Sequence, residues 1–108
     1  MRESAISRRI QTALIDAGAF VFKVHGNEFT MAGLPDLIVC YKGYYIGIEV
    51  KNPETRYKAT PRQLYIHRKI HSAGGLCEVV KSVAEALALL DRIGQRINVS
   101  RDPRTSNI

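Results

Sequence analysis

Apolar positions Ile6, Ile10, Ala13, Leu14 and Ala17 recur at helical spacing, with Arg8, Arg9 and Gln11 off that stripe. Residues 3–17 therefore read as an amphipathic helix, and Gly18 is placed to end it. Residues 19–25 (Ala-Phe-Val-Phe-Lys-Val-His) are rich in β-branched and aromatic types and read as a first strand. Residues 26–34 read as a loop. Asp36 to Tyr41 and Tyr44 to Lys51 read as two strands joined by a tight Lys42-Gly43 turn, an antiparallel hairpin. After a polar loop over 52–59, Thr60-Pro61-Arg62-Gln63 starts a helix, with Thr at N-cap, Pro at N1 and Gln at N3. That helix runs to about Ala73 and stops at Gly74-Gly75. Leu76 to Lys81 is a fourth strand. Ser82 and Glu85 open a last helix with Ala84, Leu87, Ala88, Leu90 and Ile93 among its apolar positions. The predicted order is α-β-β-β-α-β-α. It implies a mixed four-stranded sheet flanked by helices, within α/β (α+β). One domain is expected over residues 1–95, followed by a polar C-terminal tail over 96–108.

Composition narrows the class. The chain has 108 residues, 45% hydrophobic and 24% charged, which suits a single folded domain and excludes disorder of the whole chain. No apolar run approaches about 18 residues, so no membrane span is expected. The charged Met1-Arg2-Glu3-Ser4 start is unlike a secretory signal. Sixteen Lys and Arg against ten Asp and Glu give a net charge of +6, which favours a polyanionic partner such as nucleic acid. Cys40 and Cys77 lie in apolar strand-like runs and are expected to be reduced and buried; there is no CxxC to suggest zinc.

The chemistry concentrates on the hairpin. Strand residues alternate faces, so Ile46, Ile48 and Val50 share one face while Tyr45, Gly47, Glu49 and Lys51 share the other. Pairing around Lys42-Gly43 sets Asp36 across from the Glu49–Lys51 end. Two carboxylates this close repel, and a hard divalent cation such as Mg²⁺ or Mn²⁺ removes the penalty. A lysine beside such a cation can orient a nucleophilic water or stabilise developing negative charge. The alternative for the same residues is a solvated salt-bridge cluster at a strand end.

Gly33-Leu34-Pro35-Asp36 followed by Glu49-Val50-Lys51 resembles the PD-(D/E)XK nuclease signature. With Glu3 opening the first helix and Thr60-Pro61-Arg62-Gln63 opening the next, residues 3–90 resemble the VRR-NUC family, the virus-type replication-repair nuclease branch of that superfamily. The resemblance implies a restriction-endonuclease-like core and a Mg²⁺- or Mn²⁺-dependent endodeoxyribonuclease. It implies that Asp36, Glu49 and the Val50 main-chain carbonyl hold the metal and that Lys51 is the catalytic lysine. Glu3 would lie near the metal through a water, and Gln63 would reach the same site or the DNA backbone. Each of the last two has a plainer role open to it: Glu3 in the helix dipole, Gln63 in the capping box. Stand-alone members further imply a homodimer acting on branched DNA such as four-way (Holliday) junctions, encoded by a phage or prophage and working in the bacterial cytoplasm. No small-molecule cofactor and no membrane partner are expected. The apolar last helix and the polar tail are the candidate dimer contact.

Arg56 and Lys58 in the loop after Lys51, and Arg62, Arg68 and Lys69 on the following helix, interleave with Tyr57 and Tyr65. Such a surface suits phosphate tracking with base stacking; a merely solvated helix face is the alternative. His67 and His71 stand at i, i+4 on the same helix, without the Glu of a zinc-protease motif, and are expected to flank the DNA path or lie on the surface. His25 and Glu28 are undecided, Glu28 as an extra acidic ligand or a solvated residue. The rival function is a non-catalytic nucleic-acid-binding module on the same fold.

Overall fold

The computed structural model describes residues 2–26 and 31–101. Helix α1 (Glu3–Asp16) leads into β1 (Phe20–Lys23), β2 (Leu37–Tyr41) and β3 (Tyr44–Val50). Helix α2 (Pro61–Ser72), β4 (Leu76–Val80) and α3 (Val83–Arg101) complete the chain. The order is the one the pattern predicts, and the fold is α+β. The four strands form one sheet in the order β1-β2-β3-β4. β1 pairs antiparallel with β2 and β2 with β3, while β3 and β4 run parallel across the α2 crossover. The hairpin turn is tight because Lys42 and Gly43 both take positive φ, 51° and 86°. That pair matches the right-handed twist of the strands it joins.

The main core lies between one sheet face and helices α1 and α3. Ile10, Leu14, Leu37, Val39, Ile46, Ile48, Ala86 and Ile93 are fully buried there, with Val50, Leu76 and Val80 at 1% exposure. Each of the Ile, Leu and Val side chains contributes about 1.5–3 kcal/mol through burial. Helix α2 packs on the opposite face, where Ile66 is buried and the Ile70 side chain meets Gly75. Its start is fixed by the capping box: the Gln63 N–H donates to Thr60 Oγ1 at 3.1 Å, and the Thr60 N–H donates to Gln63 Oε1 at 3.0 Å.

Several boundaries and one burial differ from the sequence expectation, α1, β3 and β4 each ending one residue early. β1 stops at Lys23 rather than His25, and β2 starts at Leu37, leaving Asp36 just outside the ladder. The last helix does not end at Gly94 but continues to Arg101, so the first part of the stretch read as tail is helical. Ile93 is buried and Ile97 packs on the core one turn later. That pair outweighs the roughly 1 kcal/mol that a helical glycine costs. Cys40 is exposed although Cys77 is buried. Cys40 pairs with Phe20 on the β1–β2 side of the sheet, away from α2, which packs against β4. Glu28 lies outside the described residues.

Candidate active site

Local register assembles the site. Leu37 is the partner of Ile48, so the next pair outward sets Asp36 beside Glu49. The Val50 N–H donates to Asp36 Oδ2 at 2.8 Å, so the main chain of β3 holds this carboxylate. Pro35 fixes it from behind. A Cβ on Gly47 would stand 2.6 Å from Pro35 Cγ, so only glycine lets the Pro35-Asp36 segment lie this close to β3. The Lys51 N–H donates to the Val80 carbonyl at 3.0 Å, carrying the parallel pairing one residue past the strand. Lys51 Nζ stands 3.7 Å from Glu49 Oε1. The sheet thus brings Asp36, Glu49 and Lys51 together at one end, as the alternation predicts.

The electrostatics of this group are unusual. Glu49 is only 3% exposed, and its Oε2 has no hydrogen-bond partner. Burial, then the Asp36 charge, pushes its carboxyl up to about 7, against a smaller opposing pull from Lys51. A buried carboxylate oxygen without a donor is costly unless something neutralises it. Burial also pushes the Cys77 thiol up to about 12, with Glu49 nearby adding to it, which makes this cysteine an inert packing residue.

Glu3, in the first turn of α1, shares a cavity of about 180 Å³ with Ser7, Lys23, Asp36 and Val50. Ser7 is buried at 5% exposure and accepts a hydrogen bond from Gln11 Nε2 at 3.1 Å. Neither Ser7 nor Lys23 carries a motif that marks it in the sequence. Ser7 stands one turn after Glu3, and that i, i+4 spacing was the signal available. Among the described residues no three His, Cys, Asp or Glu side chains are grouped closely enough to hold a metal ion. Asp36 and Glu49 are the two side chains with the oxygen chemistry for a hard cation, and the remaining ligands would be main-chain oxygens or water.

Gln63 belongs to the capping box, and its Oε1 also accepts the Tyr57 hydroxyl at 3.1 Å. The Tyr57 ring lies under Lys51, whose Nζ is 5.0 Å from the ring centroid. Burial, then the nearby Glu49 and Asp36 charges, pushes the Tyr57 phenol up. Tyr57, expected from the sequence as a stacking aromatic, stands instead against the site lysine.

On the outer face of α2, Arg62 and Lys69 lie 5.1 Å and 5.4 Å from the Tyr65 ring centroid. Arg62 Nε also donates to the Ala32 carbonyl at 3.1 Å, tying the loop before Pro35 to the helix. Arg56, Lys58 and Arg68 are exposed, the first two in the 51–60 segment and the third on α2. His71 Nε2 is hydrogen-bonded with the Cys77 carbonyl at 3.2 Å, a helix-to-sheet tie. His67 is half-buried with Nε2 unpartnered, and burial lowers its pKa. His25 is exposed beyond the end of β1. No helix among the described residues is long and apolar enough to cross a membrane.

No protein-family model matches the chain, and no curated protein matches it. Among solved structures it is similar to a VRR_NUC domain at 25% identity with a TM-score of 0.63, over 82% of this chain and 94% of that one. It is also similar to a VRR_NUC domain protein at 22% identity with a TM-score of 0.64, over 91% of this chain and 89% of that one. The likeness spans nearly all of each chain, and the element order and sheet topology are those of the VRR-NUC fold.

Proposed function

We propose that this VRR-NUC domain is a Mg²⁺- or Mn²⁺-dependent endonuclease that hydrolyses phosphodiester bonds in DNA. The observation that carries the reading is the unpartnered, buried Glu49 Oε2 beside Asp36 and Lys51. A surface that only bound nucleic acid would gain nothing from burying a carboxyl group against a second one with an oxygen left without a donor. Asp36, Glu49 and the Val50 carbonyl would hold the cation, with Glu3 reaching it through a water across the shared cavity. When bound, such an ion supplies positive charge for the phosphate and lowers the pKa of a water that attacks in line. Lys51 places an ammonium beside these carboxylates, where it offsets negative charge developing on the phosphate. Arg56, Lys58, Arg62, Tyr65, Arg68 and Lys69 would track the DNA backbone, with Tyr65 offering a ring for stacking.

The substrate proposed is branched DNA, four-way junctions above all, cut by a homodimer. The chain has no separate element for reading base edges among its described residues, which favours recognition of shape and charge. The test is cleavage of supercoiled plasmid and of labelled junction, flap and linear duplexes with Mg²⁺ and Mn²⁺. Lys51→Ala is expected to abolish cleavage, a loss of about 100-fold or more, while the melting temperature and DNA binding stay near wild type. Turnover by Lys51→Ala within severalfold of wild type would overturn its catalytic role. Binding without cleavage by the wild type would favour the non-catalytic module.

A further inference from the structure

We propose that Tyr57 is the positioning residue for Lys51, holding its ammonium in place for catalysis; this rests on the nuclease reading above. Among the described residues, Glu49 Oε1 at 3.7 Å and the Tyr57 ring at 5.0 Å lie against the Lys51 ammonium. They are not equivalent. Glu49 is also a proposed metal ligand, and negative charge that a carboxylate shares with a cation is lost to a lysine beside it. The attraction of a ring face for an ammonium does not depend on Glu49. Tyr57 therefore keeps Lys51 at the strand end in the state in which Glu49 holds it least.

The ring is itself held. Its hydroxyl donates to Gln63 Oε1 at 3.1 Å, and the same oxygen accepts the Thr60 N–H at 3.0 Å. Gln63 is locked in turn by its own N–H on Thr60 Oγ1. A chain of contacts thus runs from the start of α2 through Gln63 and Tyr57 to Lys51. It gives the Thr60–Gln63 cap a second task beyond starting the helix: it fixes the fold-back of the loop that carries Tyr57. Gln63 acts on the site through this ring, and a lysine with four rotatable bonds needs such a support to stay in one place.

Two variants separate the ring from its hydroxyl. Tyr57→Phe keeps the face under Lys51, and Tyr57→Leu removes it. NMR of the protein with ¹³C-labelled lysine reads the placement without any need for activity, the Lys51 signal being assigned by its absence in Lys51→Ala. In the wild type the Lys51 ε-methylene protons are expected upfield of the other lysines, shifted by the ring current; in Tyr57→Phe, which keeps the ring but loses its tie to Gln63, the shift should be smaller but present. In Tyr57→Leu they should return to the position of the other lysines. With Mn²⁺ and DNA, kcat of Tyr57→Leu is expected to fall about 10- to 100-fold with KM little changed, and that of Tyr57→Phe to lie between it and the wild type. Should Tyr57→Leu fail to fold, Tyr57→Met, whose unbranched chain adapts to an irregular space without a ring, takes its place. A Lys51 signal unmoved by loss of the ring would overturn the proposal. So would an unchanged kcat once that signal has moved, or a rise in KM alone, which would make Tyr57 a DNA contact. A wild type that places Lys51 over the ring but cleaves no DNA would overturn the nuclease reading and, with it, the catalytic role given to that placement.

Discussion

Glu49 concentrates the energetic tension of the molecule. Its carboxyl, at about 7 instead of the ordinary 4.5, holds its proton more tightly in the folded chain than in the unfolded one. The contribution to stability is therefore complete below about pH 4.5 and is lost as pH rises through about 7. Metal-free protein is expected to melt several degrees lower at pH 8 than at pH 5.5, since about 1 kcal/mol moves a domain of this size by about 4–8 °C. Glu49→Gln should flatten that slope and raise the melting temperature at pH 8. Mn²⁺ should stabilise the wild type and do less for Glu49→Gln or Asp36→Asn. Scanning calorimetry at the two pH values checks all of this. Equal Mn²⁺ shifts in the three proteins would show that neither carboxylate binds the ion. Asp36, Glu49 and Lys51 were legible in the sequence because strand alternation and a tight hairpin turn fix both face and register. Tyr57 was not. It reaches Lys51 by the fold-back of a loop that has no period, held by a hydrogen bond to a residue on the next helix.

Among the elements, the β2–β3 hairpin and α2 were readable because each carries its own local signal, a turn with Lys42-Gly43 in one case and a capping box in the other. The length of α3 was not, because Gly94 reads locally as a stop, and only packing of Ile93 and Ile97 against the core carries the helix past it. The role of Gly47 was equally hidden. Pattern alone makes it a weak point in a strand; the structure makes it the seat of Pro35. Gly47→Ala would set a methyl 2.6 Å from Pro35 Cγ and 3.2 Å from Cys77 Sγ. Overpacking of this kind costs about 1–3 kcal/mol. Part of the strain should pass to the neighbouring Asp36, because relief of the clash moves Pro35 outward. Gly47→Ala is thus expected to lower the urea midpoint and also to weaken Mn²⁺ binding by calorimetry. A loss of stability with unchanged Mn²⁺ affinity would show that the Pro35 contact is only packing.

At the scale of the whole molecule, α3 leaves little apolar surface for the dimer contact expected of it. Leu90 and Ile93 are buried in the core beside Ala86 and Leu89, Leu87 packs partly against it, and of the expected positions Ala84 and Ala88 are exposed. The large apolar side chains left outside include Phe20 at 67% exposure and Phe22 at 53%, both on β1. β1 is one of the two outer strands of the sheet, and Phe20 and Phe22 share the face that carries Cys40 and Ile38. Two copies meeting along an outer strand about a twofold axis pair antiparallel and bring the same residues together from both sides. This was not legible in the sequence: alternation puts Phe20 and Phe22 on one face, but whether a helix covers that face is decided by where α2 packs. A single chain has one proposed site and as a nuclease would cut one strand at a time, so paired cuts in a four-way junction would need two sites held at a fixed separation. The protein is therefore expected to sediment as a dimer at micromolar concentration and to cut junctions faster than linear duplex. Phe22→Lys should shift it to monomer, because two added charges would then face each other across the axis. The monomer is expected to keep single-strand nicking of plasmid while losing paired junction cuts. Paired cutting by a variant that sediments as a monomer would overturn the dimer. A dimer indifferent to Phe22→Lys would move the contact away from β1. Either result would leave the Asp36, Glu49 and Lys51 site to stand on its own test.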